Sequence, residues 1–119
     1  MLQKGSFLIP SDTSGVYLIK VIQTRRCSTR RHAKTGKFLR IVLKQTKTKL
    51  IRKRKQRVRG IIIRSNHSFS KRDGMHYKFE HNAVVVLKKR MNTLGKEVIG
   101  PSCKRMKIKK FRNSIITLF

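Results

Sequence analysis

Two runs of β-branched residues near the middle of the chain limit the folds that this sequence can adopt. The first run is Val58–Arg64 and the second is Asn82–Leu87. Valine and isoleucine at this density favour pleated strands over helices, because branching at Cβ restricts the side chain in a helix. Between the runs, Asp73-Gly74 is typical of a tight hairpin turn, since glycine accepts the positive φ that such a turn needs. The sequence therefore predicts a mainly β fold.

Three segments earlier in the chain also have the composition of strands. They are Phe7–Pro10, Val16–Ile22 and Phe38–Lys44. We expect the first of them to be an edge strand, because proline has no N–H to donate to a central ladder. Short strands separated by glycine-marked turns are typical of small barrels, so the sequence predicts a β-barrel.

After Leu87 the pattern changes. Pro101 favours a short helix over Ser102–Lys107, and Ser114–Phe119 is either a last strand or an apolar tail docked on the barrel. We therefore predict a single domain over residues 1–119. The barrel would occupy about residues 1–90, and a loop, one or two short helices and the last strand would occupy about residues 91–119.

The charge of the chain indicates its partner. Lysine and arginine number 32 against four acidic residues, which gives a formal net charge of +28. Cations at this density repel one another, so we expect the folded protein to bind a polyanion. A hydrophobic content of 38% is nevertheless too high for a wholly disordered basic protein. Since aromatic residues are few, the core should be aliphatic.

The residues that could carry catalysis or hold a metal are scarce and scattered. The carboxylates are Asp12, Asp73, Glu80 and Glu97, and none belongs to a catalytic motif. The four histidines lack ligand spacing, and Cys27 and Cys103 each lack a second cysteine at metal-ligand spacing. We therefore predict no enzymatic activity, no catalytic residues, no metal, no cofactor and no small-molecule substrate.

The apolar stretches are also short. They extend over a few residues, whereas a bilayer-spanning helix needs about 18–20. The first residues lack the apolar region of a signal peptide, so we expect neither a membrane partner nor a secretory leader.

Basic residues are concentrated in two loops and in the predicted hairpin. We expect these cations to bind nucleic acid through its phosphates, with a steep salt dependence. Tyr17, Phe38, Tyr77 and Phe79 are expected in the core rather than as base-stacking platforms, which favours recognition of backbone and shape. The candidate binding residues are Arg25, Arg26, Arg30, Arg31, Lys47, Lys49, Arg52, Lys53, Arg54, Lys55, Arg57, Arg64, Lys71, Arg72 and Lys78.

Two other classes of protein have a similar charge. A free-standing nucleic-acid condensing protein or a cationic defence protein is the main alternative, although such proteins usually carry basic tails or disulfide frameworks. Here the cations are spaced through aliphatic strands. A nuclease is the third possibility, and it would need clustered acids or histidines.

Several segments, in the same order, resemble the family of universal large-subunit ribosomal protein fourteen in its bacterial and organellar form. Met1-Leu2-Gln3 and Asp12-Thr13-Ser14-Gly15 resemble the opening strand and turn of that family. Ile61–Arg64 and the run from Asp73-Gly74 through Lys78–Val85 resemble its central strands. The closing segment is matched by Gly95, Ile99-Gly100-Pro101, Lys109-Lys110-Phe111, Ile115-Ile116 and Leu118. The similarity extends over nearly the whole chain.

This resemblance implies a five-stranded β-barrel with a short helical C-terminal part, and it assigns the candidate cations to large-subunit rRNA. It also implies a bridge to small-subunit rRNA, formed by the basic loop Lys47–Arg57 and the segment Gly95–Lys110. Neighbouring large-subunit proteins and a ribosome-silencing factor are further implied partners. The implied bridge residues are Lys49, Arg52, Lys53, Arg54, Lys96, Lys104 and Lys107.

The chain departs from the family pattern at a few positions. Lys55-Gln56 replaces Gly-Asp, Lys96-Glu97 replaces Thr-Arg on the silencing-factor surface, and Arg105 replaces an acid. The excess of lysine, isoleucine and phenylalanine is what AT-rich coding favours. We therefore predict a mitochondrial ribosomal protein, with a bacterial or plastid ribosome as the alternative.

Overall fold

Nine strands follow one another in the part of the chain that the structure describes. This structure, a computed structural model, describes residues 2–24, 32–47, 56–103 and 115–118, and no helix occurs within them. The strands are β1 (Phe7–Pro10), β2 (Val16–Thr24), β3 (Phe38–Thr46), β4 (Arg57–Arg64), β5 (Phe69–Ser70), β6 (His76–Tyr77), β7 (Ala83–Leu87), β8 (Val98–Ser102) and β9 (Ile115–Leu118).

Five of these strands close into a barrel in the order β1-β2-β3-β4-β7. Neighbouring strands are antiparallel, except that β1 and β7 are parallel where the barrel closes. β2 and β3 are nine residues long, and their pairing contains register shifts. Such irregularities increase local twist and allow a small sheet to curl on itself. The predicted mainly β fold and five-stranded barrel are confirmed.

The barrel has an inner core and a second apolar cluster on its outside. Side chains such as Ile19, Ile41 and Val84 fill the interior. On β4 and β7 the alternate residues point outward and join Val98 of β8 in the outer cluster. Both faces of these strands are therefore buried, which explains why their sequences are continuous apolar runs rather than alternating ones. Within the described residues the buried apolar side chains are aliphatic, with no aromatic ring among them.

β1 is not the edge strand that its proline predicts. It pairs with β2 on one side and with β7 on the other. The N–H of Ile9 donates to the carbonyl of Asn82, just before β7, and the N–H of Ser11 donates to that of Val84 in β7, so the nitrogen of Pro10 faces β2. Pro10 lies beyond the last β1–β2 residue pair, where no donor is needed.

Three further sequence predictions have different outcomes. Tyr17 is 57% exposed on β2 and not in the core, whereas Phe38 packs against the outer cluster as expected. Ser102 is the last residue of β8, so the expected helix does not start there, and residues 104–114 lie outside the described part. β9 pairs in parallel with β8, which confirms the last strand.

The Asp12 carboxylate completes the closure of the barrel. Oδ2 accepts a hydrogen bond of 3.1 Å from the backbone N–H of Val86, which continues the β1–β7 ladder after the β1 backbone has turned away. Oδ1 accepts a bond of 2.5 Å from the hydroxyl of Ser14. Gly95 packs over this turn, where an added Cβ would lie 2.8 Å from the nitrogen of Thr13. The loop before β8 is thereby fixed against the barrel.

Substitution of Gly60 tests the packing of the barrel interior. A Cβ at this position would lie 2.8 Å from Cδ1 of Ile41 and 2.8 Å from Cγ2 of Val84. Glycine is normally unfavourable in a strand, yet we expect Gly60→Ala to lower the free energy of unfolding by about 1–3 kcal/mol through overpacking. Chemical denaturation measures this change.

The Gly60 control is a double-mutant cycle with Ile41→Val, which removes one of the two methyl groups. Alone, Ile41→Val should cost about 0.5–1.5 kcal/mol. Combined with Gly60→Ala it should cost less than the sum, because the space it creates accommodates the new methyl group. Strict additivity would contradict the close approach at Gly60.

Asp12 provides a pH-dependent prediction. Burial raises the pKa of its carboxyl above the ordinary value of 3.8, although the hydrogen bonds from Ser14 and Val86 act in the opposite direction. The folded state thus favours the protonated form, and the contribution of Asp12 to stability is fully present below its unfolded pKa and declines as pH rises through the folded pKa. Relative to Asp12→Asn, the wild-type free energy of unfolding should therefore fall as pH rises from below the ordinary carboxyl value of 3.8 through the raised folded pKa.

The other three carboxyls are present in both proteins, so their titration cancels in this difference. A difference that rises with pH would mean that the fold favours the carboxylate instead. Asp12→Ala serves as the second variant. It leaves the N–H of Val86 buried without an acceptor, and we expect a loss of about 1–3 kcal/mol at any pH at which the protein folds.

Candidate nucleic-acid interface

Most of the predicted binding residues belong to two basic loops of which only the ends are described. Lys47 is exposed immediately after β3, and Arg57 is exposed as the first residue of β4. Both loops connect strands of the barrel, at positions 25–31 and 48–55. Eleven candidates lie outside the described residues: Arg25, Arg26, Arg30, Arg31, Lys49, Arg52, Lys53, Arg54, Lys55, Lys104 and Lys107.

The β5–β6 hairpin presents three of the described candidates outside the barrel. Its turn forms as the sequence predicts, with Gly74 at φ 81° and the carboxylate of Asp73 accepting a hydrogen bond of 3.1 Å from the N–H of Met75. Arg72 in the turn and Lys78 after β6 are exposed. The ammonium of Lys71 lies 4.1 Å from the centre of the Tyr77 ring.

An aromatic cluster stiffens this hairpin. The ring of Phe69 lies 5.9 Å from that of Tyr77 and 6.2 Å from that of Phe79, measured between centroids. These rings are half-buried and belong to neither apolar cluster of the barrel. Tyr77 and Phe79 therefore support the hairpin rather than the core that the sequence predicts for them.

Arg64 has a structural contact that its sequence position does not reveal. Its Nη1 donates to the carbonyl oxygens of Ile99 at 3.0 Å and Pro101 at 3.5 Å, so the side chain joins the end of β4 to β8. Gly100 between them has φ +84°, and a Cβ there would collide with the guanidinium. Burial lowers the pKa of Arg64 from its usual value. Its role in rRNA binding stays a prediction.

A basic groove on the outside of β3 and β4 was not singled out from the sequence. It has a volume of about 440 Å³ and is lined by Arg40, Arg57, Val58, Arg59, Leu87, Lys88 and Lys89, with no carboxylate among them. Only Arg57 is among the predicted binding residues. The other cations come together because β3 pairs with β4 and β4 with β7.

The carboxylates make their described contacts elsewhere. The carboxylate of Asp12 closes the barrel, that of Asp73 bonds within the hairpin turn, and that of Glu80 lies 3.8 Å from His81. In the described residues no group of three histidine, cysteine or carboxylate side chains could hold a metal ion. The described part also contains no helix that is long and apolar enough to cross a membrane.

Comparisons with known proteins agree over the whole chain. The family model of ribosomal protein L14p/L23e matches residues 1–118. The chain is 32% identical to the large ribosomal subunit protein uL14m of Tetrahymena pyriformis over 114 residues, which cover 96% of each protein. It is also 32% identical to the large ribosomal subunit protein uL14c of Helicosporidium sp. subsp. Simulium jonesii over 101 residues, which cover 85% of this chain and 83% of that protein.

Substitution of Arg64 separates its structural contact from its charge. We expect Arg64→Ala to lower the free energy of unfolding by about 1–2 kcal/mol, because two carbonyls of β8 lose a charged donor. Exposed Lys78 is the matched control, and Lys78→Ala should change stability by less than about 0.5 kcal/mol. Equal stability of the two variants in thermal or chemical denaturation would contradict a stabilising contact of Arg64 between β4 and β8.

Proposed function

The chain belongs to the ribosomal protein L14p/L23e family, and on that premise we propose that it is a structural protein of the large ribosomal subunit that binds large-subunit rRNA. The family match over residues 1–118 carries this proposal. The family is one of structural ribosomal proteins, not of enzymes, and a β-barrel whose charged side chains project outward suits such a role. The net charge of +28 supplies the attraction for a polyanion.

The predicted rRNA-binding residues form three cationic regions on this scaffold. Two are the loops after β2 and after β3, and the third is the β5–β6 hairpin. Loops held at both ends by barrel strands can reach into grooves of a folded RNA while their anchor points stay fixed. Recognition would rely on phosphate positions and helix shape, because the described aromatic side chains are engaged in the hairpin, pack against the outer cluster in the case of Phe38, or lie on the surface without a second ring beside them.

A bridge to small-subunit rRNA is the second part of the proposal. The loop after β3 and the segment that begins at Gly95 supply its cations, of which Lys96 is exposed in the described part of the chain. Gly95 packs against the turn at Thr13 and Ser14, so the start of this segment is held on the barrel. The remaining bridge residues, Lys49, Arg52, Lys53, Arg54, Lys104 and Lys107, lie outside the described residues.

Neighbouring ribosomal proteins are further proposed partners. Phe7 and Ile9 project from the outer face of β1 and are 55% and 51% exposed, which leaves an apolar surface suited to a protein contact.

A ribosome-silencing factor would bind the C-terminal surface. At that surface the exposed pair Lys96-Glu97 gives this chain a charge pattern of its own.

We propose that the protein works in an organellar ribosome, with the mitochondrion as the first choice. The two relatives, uL14m and uL14c, are the mitochondrial and chloroplast forms of the protein, and they support an organellar location equally well by identity. The basic composition of this chain and its coverage of the uL14m protein favour the mitochondrial form.

Sedimentation tests this function. A cell or mitochondrial extract is separated on sucrose gradients at low and at high salt, and the protein is detected by mass spectrometry. We expect it in the large-subunit peak after the high-salt wash, since an integral ribosomal protein is held by many contacts at once. Another large-subunit protein followed in the same fractions is the internal control.

Release by modest salt, or sedimentation at the top of the gradient while the control protein stays in its peak, would contradict the proposal. That result would indicate loose electrostatic binding and a free-standing nucleic-acid condensing protein. Organelle purification before the gradient distinguishes the mitochondrial from the plastid ribosome.

A further inference from the structure

We infer that the groove between β3, β4 and the end of β7 is a clamp, that is, a binding site for the phosphodiester backbone of RNA. The guanidinium groups of Arg40 and Arg59 are its two main phosphate contacts. This inference rests on the proposed function and adds a binding site to it. The groove lies on the outer face of the barrel, shares Arg57 with the basic loop Lys47–Arg57 and includes no residue of the hairpin.

The first observation is a pair of like charges placed directly opposite each other. Arg40 on β3 and Arg59 on β4 are cross-strand partners in an antiparallel ladder. Leu39 and Ile41 point into the barrel and are fully buried, so Arg40 between them projects outward. Opposed like charges destabilise a sheet, and a bound anion would convert this repulsion into attraction.

The second observation is that each guanidinium group has a hydrogen-bond partner beside the groove. Nη1 of Arg40 donates to Oε1 of Gln23 at 3.4 Å, and Nη1 of Arg59 donates to Sδ of Met91 at 3.4 Å. Gln23, Arg40, Arg59 and Leu87 are successive partners across four strands, so the two arginines lie in one row across the sheet. Each guanidinium retains other N–H groups for a ligand, and such forks match the oxygens of phosphate.

The third observation is the length of the charged surface. Arg57 stands two residues before Arg59 on the same face of β4, and Lys88 and Lys89 follow β7 at the other side of the groove. Lys88 and Lys89 are exposed. A single free anion would need only one or two of these cations, whereas a row of them suits the repeated phosphates of a nucleic-acid strand.

Binding of a labelled RNA hairpin by the full-length protein, measured by fluorescence anisotropy over a series of salt concentrations, tests the clamp. We expect Arg40→Gln/Arg59→Gln to weaken binding by about tenfold or more, since two charged hydrogen-bond donors to phosphate are lost. The slope of log K against log salt should decrease by about 1–2, which corresponds to the lost phosphate contacts.

Two matched variants separate the clamp from general charge. Lys4→Gln/Lys37→Gln removes the same charge from exposed positions elsewhere and should leave the affinity within about twofold of wild type. Arg40→Lys/Arg59→Lys keeps the charge and should retain the salt slope while losing affinity, because lysine cannot form the paired hydrogen bonds. Equal losses in the two glutamine variants would overturn the inference, and full affinity of the lysine variant would exclude the forked contact.

Folding of the variants is measured in the same samples. The melting temperature of Arg40→Gln/Arg59→Gln without RNA should equal or exceed that of wild type, because the cross-strand repulsion is removed.

Sedimentation distinguishes failure of the clamp from failure of the proposed function. If the wild-type protein stays with the large subunit while the groove variant binds RNA normally, the clamp fails and the proposed function stands. If RNA binding depends on the groove but the protein does not sediment with the subunit, the proposed function fails and the clamp stands.

Discussion

The closure of the barrel between β1 and β7 depends on one buried carboxylate. The two strands are parallel, and their backbone ladder ends where the chain turns after β1. The N–H of Val86 would then be buried without a backbone acceptor, and the carboxylate of Asp12 takes that position. The carbonyl of Val86 accepts from the N–H of Leu94, so the same residue holds both the β1 turn and the loop that leads to β8. Barrel closure and attachment of the loop before β8 therefore share the backbone groups of Val86.

This arrangement decides where charge can be displayed. The outer face of β4 and β7 is covered by Val98 and its neighbours near one end of the strands, and Arg64 ties β8 to that position. In the described part of the chain, the hairpin and the other end of β4 are uncovered, and both carry cations. At that end Arg57 and Arg59 emerge beside Arg40. The apolar layer thus separates a packed region of β4 from the cationic region for which RNA binding is proposed.

The sequence predicts those parts of the structure that depend on local pattern. The strands around Ile62 and Val85 and the turn at Gly74 follow from β-branched runs and from turn chemistry, which act over a few residues. The closing role of Asp12 is not visible in this way, because its partner Val86 is far away in sequence. The same holds for Pro10, whose strand is internal although the residue type predicts an edge.

The binding residues show the same division. Runs of lysine and arginine identify the loops as candidates, but the pairing of Arg40 with Arg59 depends on the register between β3 and β4. Arg64 lies in a basic context too, yet its guanidinium bonds to backbone carbonyls of β8. The number of charges therefore predicts the class of ligand. The position of each cation relative to its neighbours depends on how the strands pair, which the charge count does not show.

The described contacts of three of the four acids lie away from the cations of the groove. Burial raises the pKa of the Asp12 carboxyl, and this carboxyl accepts a hydrogen bond from the N–H of Val86. Asp73 bonds within its own turn, and Glu80 faces His81. With these carboxylates serving local structure, the cations of the groove have no acid among the residues that line it. In the proposed clamp, the compensating charge would come from outside the chain, from the phosphates of RNA.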